Sequence, residues 1–172
     1  MVGPYPVTYI QGFPPISRND ARTLILGSMP GRESLRLQRY YAHPRNSFWP
    51  IMVALFNIDG QGYEERAEQV INKGVAIWDV LQACFRSGSL DSAIDNRTIV
   101  PNDFEKFFSG HPHVNRVFFN GAKAETMYLK HVLPELKGQA ATHTLQRLPS
   151  TSPAHASMSL QQKSEAWSMI LE

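Results

Sequence analysis

Residues 23–31 read Thr23-Leu24-Ile25-Leu26-Gly27-Ser28-Met29-Pro30-Gly31, a short apolar run followed by a loop rich in glycine and proline. An apolar run of this length between turn residues is typical of a strand buried on both faces of a parallel sheet. In open α/β sheets, ligands bind beyond the carboxyl ends of such strands. The stretch therefore predicts a sheet and also the edge at which a site would lie.

Three further strands are predicted along the chain. Residues 74–78 and 116–120 are continuous apolar runs, and the threonine-rich run 142–148 ends at a proline. Helical patterns lie between and after them, at residues 46–56, 62–72, 102–108, 122–136 and 159–171. Because strands alternate with helices, we predict an α/β fold: a three-layer α/β/α sandwich with a central four-stranded parallel sheet.

The length of 172 residues fits one domain, 1–172, with a sizeable core. Four prolines near the start favour a loosely packed lead-in over residues 1–19. No apolar stretch reaches the ~20 residues that span a bilayer, and the first residues lack the features of a secretion signal, so we expect a cytoplasmic protein without a membrane partner. The single cysteine, Cys84, excludes a cysteine-ligated zinc or iron–sulfur site within one chain. We expect no cofactor and no metal.

The charge is unevenly distributed, although the net charge is only +2. Four arginines fall within a short stretch that also contains two tyrosines and a histidine; they are Arg32, Arg36, Arg39 and Arg45. A basic patch interleaved with aromatic residues suits a phosphate backbone with an unstacked base nearby. From charge alone, the alternative is a solvated, arginine-rich loop.

Four regions resemble the motifs of the uracil-DNA glycosylase superfamily, and they occur in the family's order. The regions are Gly27–Gly31 with Tyr40–Trp49, Trp78–Leu81 with Gly88–Ser92, Phe119–Ala124, and Leu148–Ala154. In its mismatch-type members, a Gly-x-Asn-Pro-Gly loop is followed by His-Phe, Pro-x-Asn and Phe-Trp. Together the regions lie within residues 23–156, which is most of the chain.

Two departures from the motifs favour one branch of the superfamily. Met29 stands where the mismatch-type enzymes have a water-positioning asparagine, and Leu148 stands where uracil-specific branches have histidine or asparagine. The combination resembles the hypoxanthine-DNA glycosylase branch. The resemblance implies a monofunctional, monomeric enzyme of base-excision repair that removes hypoxanthine from deoxyinosine, with double-stranded DNA containing a deaminated base as its partner.

Three alternatives to that function stay open. One is a mismatch-type uracil/thymine-DNA glycosylase in which Asn46 replaces the missing asparagine. Another is a catalytically inactive module of the same fold that binds damaged DNA. A serine hydrolase using Ser28 or Ser150 is disfavoured, because the chain has no Gly-x-Ser-x-Gly elbow.

The resemblance implies a catalytic role for Asn46 and Asn120. Asn46 would position the attacking water or hold the base edge, since an amide offers a donor and an acceptor together. On local evidence alone, Asn46 is a helix N-cap. Asn120 would bond the base edge or the same water, and its alternative is a turn residue before Gly121.

Five residues are expected to bind the flipped base: Gly27, Ser28, Met29, Tyr41 and Phe48. Tyr41 occupies the place of the stacking aromatic by resemblance, and its alternative is a packing tyrosine. Backbone N–H groups around Ser28 and Met29 would stabilise negative charge on the departing base. Gly27 would permit a close backbone approach.

Eight residues are expected to contact the DNA: Arg32, Arg39, Arg45, Ser150, Thr151, Ser152, Pro153 and His155. The serines would hold phosphates, while Pro153, Ala154 or His155 would act as a wedge behind the flipped nucleotide. The alternative is an ordinary proline-rich turn. Asp79 is a candidate general base, but an acid directly after a strand favours a structural turn or cap.

Overall fold

Four strands form the expected parallel sheet at the centre of the fold. The computed structural model describes residues 5–172. Within them the strands are β1 (Val7–Gln11), β2 (Thr23–Gly27), β3 (Val75–Asp79), β4 (Leu81–Ser87), β5 (Val100–Pro101), β6 (Arg116–Asn120) and β7 (Thr144–Leu148). The order β3–β2–β6–β7 is parallel throughout. Every residue of β2 and β3 is buried, which explains their continuous apolar sequences.

Helices flank this sheet and confirm the α/β class. They are α1 (Arg32–Leu37), α2 (Phe48–Phe56), α3 (Tyr63–Asn72), α4 (Phe104–Gly110), α5 (Ala122–His131) and α6 (Leu160–Trp167). Helix α3 packs on β3, and α5 packs on β6 and β7. Helix α2 contacts both α3 and α6, so the last helix of the chain docks beside the first motif.

A second, antiparallel sheet of order β1–β4–β5 was not predicted. Strand β1 lies in the segment expected to be a loose lead-in, yet all five of its residues pair with β4, and Ile16 forms a bridge to Ile77. The described part of this segment is therefore tied into the fold; residues 1–4 lie outside the description. Strand β1 has no continuous apolar pattern, because only Ile10 among its residues is buried.

The predicted helices are present, α4 shifted by two residues and the others with shorter bounds, and α1 was not predicted. Helix α5 ends at His131, five residues early, because Pro134 introduces a separate 3₁₀ turn over Leu133–Glu135. Helix α6 begins with a capping box, in which Ser159 and Gln162 each accept the other's backbone N–H. Local turn chemistry thus determines where these helices begin and end.

The core is a continuous cluster of apolar side chains from both faces of the parallel sheet. Trp49, Trp78 and Phe118 are all buried in this cluster. Trp167 of α6 is fully buried and anchors the C-terminal helix. Among residues 5–172, no helix is long and apolar enough to cross a membrane.

Candidate active site

Loops from the carboxyl ends of β2, β3, β6 and β7 converge on one cavity of about 360 Å³. The lining residues are Gly27, Ser28, Met29, Pro30, Gly31, Ser34, Tyr40, Tyr41, His43, Asn46, Asp79, Ser89, Leu90, Asp91, Ser92, Asn120, Ser150, Thr151, Ser152, Ala154 and His155. Convergence at this edge follows from the parallel arrangement of the strands. The volume lies within the range of about 300–1,000 Å³ that is usual for ligand pockets.

The loop after β2 is held by its carbonyl groups. Val80 and Leu81 donate their backbone N–H groups to the carbonyls of Gly27 and Ser28, at 2.8 and 3.1 Å. Within residues 5–172, the N–H groups of Ser28 and Met29 donate to no other group. The loop therefore presents free donors, as the prediction for Ser28 and Met29 requires.

The side chain of Ser28 has a separate function in this loop. Its hydroxyl donates to Asp91 Oδ1 at 2.6 Å, which links the β2 loop to the loop after β4. Met29 is buried in the lining. Gly27 has no room for a side chain, since a Cβ there would overlap Asp79 Oδ1. The glycine is thus required for packing against Asp79 as well as for access to a ligand.

Tyr41 lies in the cavity wall with a left-handed backbone conformation, φ +54°. Its ring stacks on Phe48, with centroids 4.0 Å apart and an interplanar angle of 25°. Phe48 is 0% exposed and is not part of the lining, so it supports Tyr41 from behind and does not itself reach a base in the cavity. A strained backbone at the position expected to stack the base is consistent with a functional constraint.

Asn46 lines the cavity and lies directly before Ser47, the N-cap residue of α2, so it is not itself the helix N-cap that local sequence favoured. Its Oδ1 accepts the Phe48 N–H at 2.9 Å, at the start of α2. The backbone N–H of Asn46 donates to the His43 carbonyl at 2.9 Å. The bond from the Phe48 N–H uses one lone pair of Oδ1, so Asn46 retains the other lone pair and both N–H groups of Nδ2 for a ligand.

Asn120 is clamped to the loop after β7. Its Nδ2 donates to Thr151 Oγ1 at 2.8 Å, and its Oδ1 accepts the Thr151 N–H at 2.9 Å. Gly121 follows with φ +95°, and a Cβ there would lie 3.1 Å from Ser150 Cβ. These contacts use one donor and one acceptor of the Asn120 amide. Asn120 therefore positions the loop, and it retains one N–H and one lone pair for a ligand.

The loop after β7 is anchored on several sides. Trp167 Nε1 donates to the Pro149 carbonyl at 2.9 Å, and Ser47 N–H donates to the Thr151 carbonyl at 3.0 Å. Thr151 is only 1% exposed, so its predicted contact with DNA does not fit this arrangement. Pro153 is outside the cavity lining, whereas Ser150, Ser152 and His155 are part of it.

The arginine cluster is divided by ion pairs. Arg36 pairs with an acidic residue of its own helix at 2.9 Å, and Arg39 pairs with Glu64 at 3.1 Å. Arg32 lies over the ring of Tyr5, 4.4 Å from its centroid. Arg45 is exposed, and its guanidinium has no ion-pair partner among residues 5–172. Arg32 and Arg45 are thus the better placed of these cations for phosphates, and Arg39 is partly neutralised.

Asp79 lies at the cavity floor, where it is only 4% exposed. Its backbone carbonyl accepts from Asn102 at 2.8 Å, but Oδ2 has no hydrogen-bond partner in the described part of the chain. Burial, reinforced by the nearby Asp91 carboxylate, raises the pKa of Asp79 to about 7. The sequence favoured a structural turn or cap for Asp79, but its carboxyl group accepts no capping hydrogen bond within residues 5–172.

The sequence interpretation did not include one wall of the cavity. His43 and the polar residues Ser89, Asp91 and Ser92 line it, although none was among the expected site residues. The sequence feature that could have indicated this wall is the Gly88–Ser92 motif, which directly follows β4. It carried no site prediction because β4, which brings that loop back to the cavity, was not recognised as a strand.

Cysteine and metal chemistry have little basis in the described residues. Cys84 is a buried free thiol, and burial raises its pKa. Residues 5–172 contain no group of three or more His, Cys, Asp or Glu side chains that could hold a metal ion. The polar groups that line the cavity are amides, carboxyl groups, hydroxyls, imidazoles and backbone N–H groups.

The fold and the cavity at its strand ends define a class of protein, and a family model establishes it. The model of the uracil DNA glycosylase superfamily matches residues 14–171, so the chain belongs to that superfamily, as the four motifs predicted. Among its relatives is a protein from Methanosarcina acetivorans named hypoxanthine DNA glycosylase, 33% identical over 162 residues, which are 93% of this chain and 96% of the relative.

Two further comparisons agree with this assignment. A protein of the same name from Methanosarcina barkeri is 37% identical over 116 residues, which are 66% of this chain and 72% of the relative. A solution NMR structure from Methanosarcina acetivorans, described as a candidate uracil DNA glycosylase, superposes with a TM-score of 0.77 at 32% identity. The superposition covers 95% of this chain and 96% of the chain in the NMR structure. The relatives carry the name of the branch that the motifs resemble.

Proposed function

We propose that this protein is a monofunctional DNA glycosylase that hydrolyses the N-glycosidic bond of hypoxanthine in deoxyinosine, in base-excision repair. The observation that carries the proposal is the cavity at the carboxyl edge of the sheet. There Tyr41, Asn46 and the free N–H groups of Ser28 and Met29 meet in a member of the superfamily. The hypoxanthine substrate is supported by the names of two relatives.

The target base must leave the duplex to reach this cavity. Flipping costs a few kcal/mol and is easiest for mispaired bases such as hypoxanthine. Stacking on the Tyr41 ring, worth roughly 1–3 kcal/mol, would offset part of that cost. Phe48 supports the ring from behind, so Tyr41 need not be ordered when the base arrives.

Hydrolysis develops negative charge on the departing base and positive charge on the sugar. The Ser28 and Met29 N–H groups are suited to stabilise the base carbonyl, because preorganised donors need no rearrangement. The Asn46 amide would hold the attacking water or the base edge, with its orientation determined by the hydrogen bond from the Phe48 N–H. The remaining N–H and lone pair of Asn120 would complete the base contacts.

The partner we propose is double-stranded DNA carrying a deaminated base, bound by a monomer in the cytoplasm. Arg32 and Arg45 would contact phosphates beside the cavity, and Ser150 and Ser152 would contact them from the loop after β7. Ala154 is exposed at the cavity margin, so it joins Pro153 and His155 as a candidate wedge. The two ends of the sheet edge would thus grip the strand on both sides of the flipped nucleotide.

The proposal is tested by strand cleavage after alkaline treatment of duplexes that each contain one hypoxanthine, uracil, xanthine or mismatched thymine. We expect abasic product from the hypoxanthine duplex, and a decrease of about 10²-fold in single-turnover rate for Asn46→Ala. The matched control is Asn115→Ala. Asn115 is exposed at the opposite end of β6 and has no side-chain hydrogen bond in the described chain.

Other outcomes distinguish the alternatives. Product from uracil or mismatched thymine but not from hypoxanthine would indicate a mismatch-type enzyme. Tight binding to the hypoxanthine duplex without product would indicate an inactive binding module. An equal loss in Asn46→Ala and Asn115→Ala would contradict the role of Asn46, because the control lies far from the cavity.

A further inference from the structure

One carboxyl group of the cavity is left without a partner by the fold. Both oxygens of the Asp79 side chain lack a hydrogen-bond donor among residues 5–172, and Oδ2 is completely enclosed. Buried polar groups are normally paired, and an ionised carboxylate without donors is costly in a low-dielectric site. An unpaired acid that lines a ligand cavity is therefore best explained by a partner that the ligand supplies.

The immediate surroundings of Asp79 keep this partner position open. Gly27 is the residue beside the carboxyl, and its missing Cβ would lie within 3.0 Å of Tyr41 Oη and overlap Asp79 Oδ1. Tyr41 Oη is also buried without a partner in the described chain. Two unpaired polar groups thus lie close to the backbone of Gly27, next to the ring on which the base is expected to stack.

The charged and titratable groups near Asp79 favour its protonated form. Asp91, from the loop after β4, raises the pKa of Asp79, and Arg86 of β4 opposes this more weakly. Tyr40 and Tyr41 face it as neutral phenols, because burial raises the pKa of each. Desolvation is the largest influence, so Asp79 holds a proton near neutral pH.

The second carboxyl of the cavity is in a different environment. Asp91 accepts the Ser28 hydroxyl at 2.6 Å, which stabilises its ionised form and opposes the effect of its own burial. One carboxyl is therefore provided with a donor and the other is not. Burial raises the pKa of both acids, so the difference between them is the donor that Ser28 gives to Asp91 alone, and neighbouring acids in different environments are typical of a division of roles in catalysis.

Resting on the proposed glycosylase function, we propose that Asp79 is the general acid that gives its proton to the departing base. The bond between the sugar C1′ and the base nitrogen breaks, and its electron pair goes to the base. Asp79 transfers its proton to a base nitrogen, so the base leaves as a neutral molecule. The attacking water forms the new C1′–O bond and releases a proton to solvent, from which the Asp79 carboxylate is protonated again.

The role explains three features of the cavity together. A carboxyl without donors retains its proton, a glycine beside it admits the base, and a neighbouring carboxylate keeps the proton in place near neutral pH. A purely structural aspartate would instead be expected to accept hydrogen bonds, as Asp103 does from Lys106 N–H at the start of α4. Asp79 accepts none within the described residues.

The test compares single-turnover excision of hypoxanthine by the wild type and by Asp79→Asn between pH 5.5 and 8.5. General acid catalysis contributes about 10²–10⁴-fold, so we expect Asp79→Asn to lose that factor. The wild-type rate should decline above about pH 7 as the acid ionises. Asp79→Asn should lack this decline, whereas a titration of the substrate would persist in it. The control is Asp59→Asn, at an exposed position remote from the cavity lining.

Two further measurements separate chemistry from folding. Binding to a duplex with an uncleavable 2′-fluoro deoxyinosine analogue should change less than threefold in Asp79→Asn, and its melting temperature should not fall. Asp91→Asn should move the decline in rate to lower pH, because the negative charge of Asp91 disfavours ionisation of Asp79 and its removal makes that ionisation easier. A shift of the decline to lower pH is thus the supporting result.

The outcomes distinguish this inference from the proposed function. If the wild type gives no abasic product from any duplex, both are overturned. If the wild type is active and Asp79→Asn keeps its rate and its pH profile, the glycosylase function holds and the role of Asp79 is overturned. A large loss of rate in Asp79→Asn with the alkaline decline unchanged would also overturn it, because the titrating group would then be another one.

Discussion

The side chains of the cavity differ in how much of their hydrogen-bonding capacity the fold already uses. Asn46 gives its oxygen to the start of α2, and Asn120 uses one donor and one acceptor on Thr151. The carboxyl group of Asp79 accepts no hydrogen bond from the described residues. What a residue can offer a ligand is the capacity that remains: two N–H groups and one lone pair from Asn46, and a protonated carboxyl from Asp79.

The unpaired carboxyl predicts how stability depends on pH. The pKa of Asp79 is about 7 in the folded chain against 3.8 for the free group, so the folded state binds more protons between these values. Stability should therefore fall as pH rises from about 4 to about 7 and level off above it. Asp79→Asn removes this loss, and at pH 8 it should be more stable than the wild type by about 2–4 kcal/mol.

The measurement is urea unfolding of the two proteins at pH 4.5 and pH 8. Asp91 also has a raised pKa, but it is present in both proteins and cancels in the comparison. The difference between the two proteins should be small at pH 4.5 and large at pH 8. A variant that is equally destabilised at both values would mean that Asp79 has a structural hydrogen bond.

At the scale of elements, the loop after β7 is the part of the site that depends most on distant contacts. Its residues are held by Asn120 at the end of β6, by Ser47 before α2 and by Trp167 of α6. Lys163 of α6 is also buried beneath it, with its Nζ 3.5 Å from the Ser152 carbonyl. Several elements thus share the task of presenting one short loop to the DNA.

Removing the Asn120 side chain tests this arrangement. Asn120→Ala would eliminate two hydrogen bonds and leave the buried Thr151 N–H unpaired, so we expect a loss of about 2 kcal/mol in unfolding free energy. Amide hydrogen exchange at Thr151 should accelerate, because the loop opens more readily. Asn115→Ala serves as the control. Unchanged stability and exchange in Asn120→Ala would show that the clamp does not hold the loop.

At the scale of the whole molecule, charge is arranged so that few cations remain free beside the cavity. Ion pairs occupy Arg36 and Arg39, while Arg32 lies over an aromatic ring and Arg45 is exposed. A net charge of +2 provides little long-range attraction to DNA. Binding should therefore depend on a small number of phosphate contacts at the mouth of the cavity.

The salt dependence of binding measures those contacts. Arg45→Ala should weaken binding to duplex DNA regardless of sequence and reduce the slope of log affinity against log salt by about one. Arg36→Ala should change the slope little, since its guanidinium is already paired with Glu33. Fluorescence anisotropy across a salt series gives both values. Equal slopes for Arg45→Ala and the wild type would remove Arg45 from the interface.

The parallel sheet and the position of its site could be predicted from sequence, because both are recorded in local patterns. Strands buried on both faces must be continuously apolar, which is why β2, β3 and β6 were found within one residue of their bounds. The antiparallel sheet was missed because β1 is largely exposed and its partner is distant in the chain. A largely exposed strand has no continuous apolar sequence, and pairing between segments that are distant in the chain produces no local sequence pattern.

The sequence by itself thus determined the family, the sheet and most residues of the cavity, since those depend on motifs and on burial along single segments. Only the tertiary structure decided what each residue does there. It placed Phe48 behind Tyr41, joined Asn120 to Thr151, and left Asp79 without a donor. Those outcomes depend on which polar atoms meet when distant segments pack, and a polar atom's partner is not encoded by its neighbours in the chain.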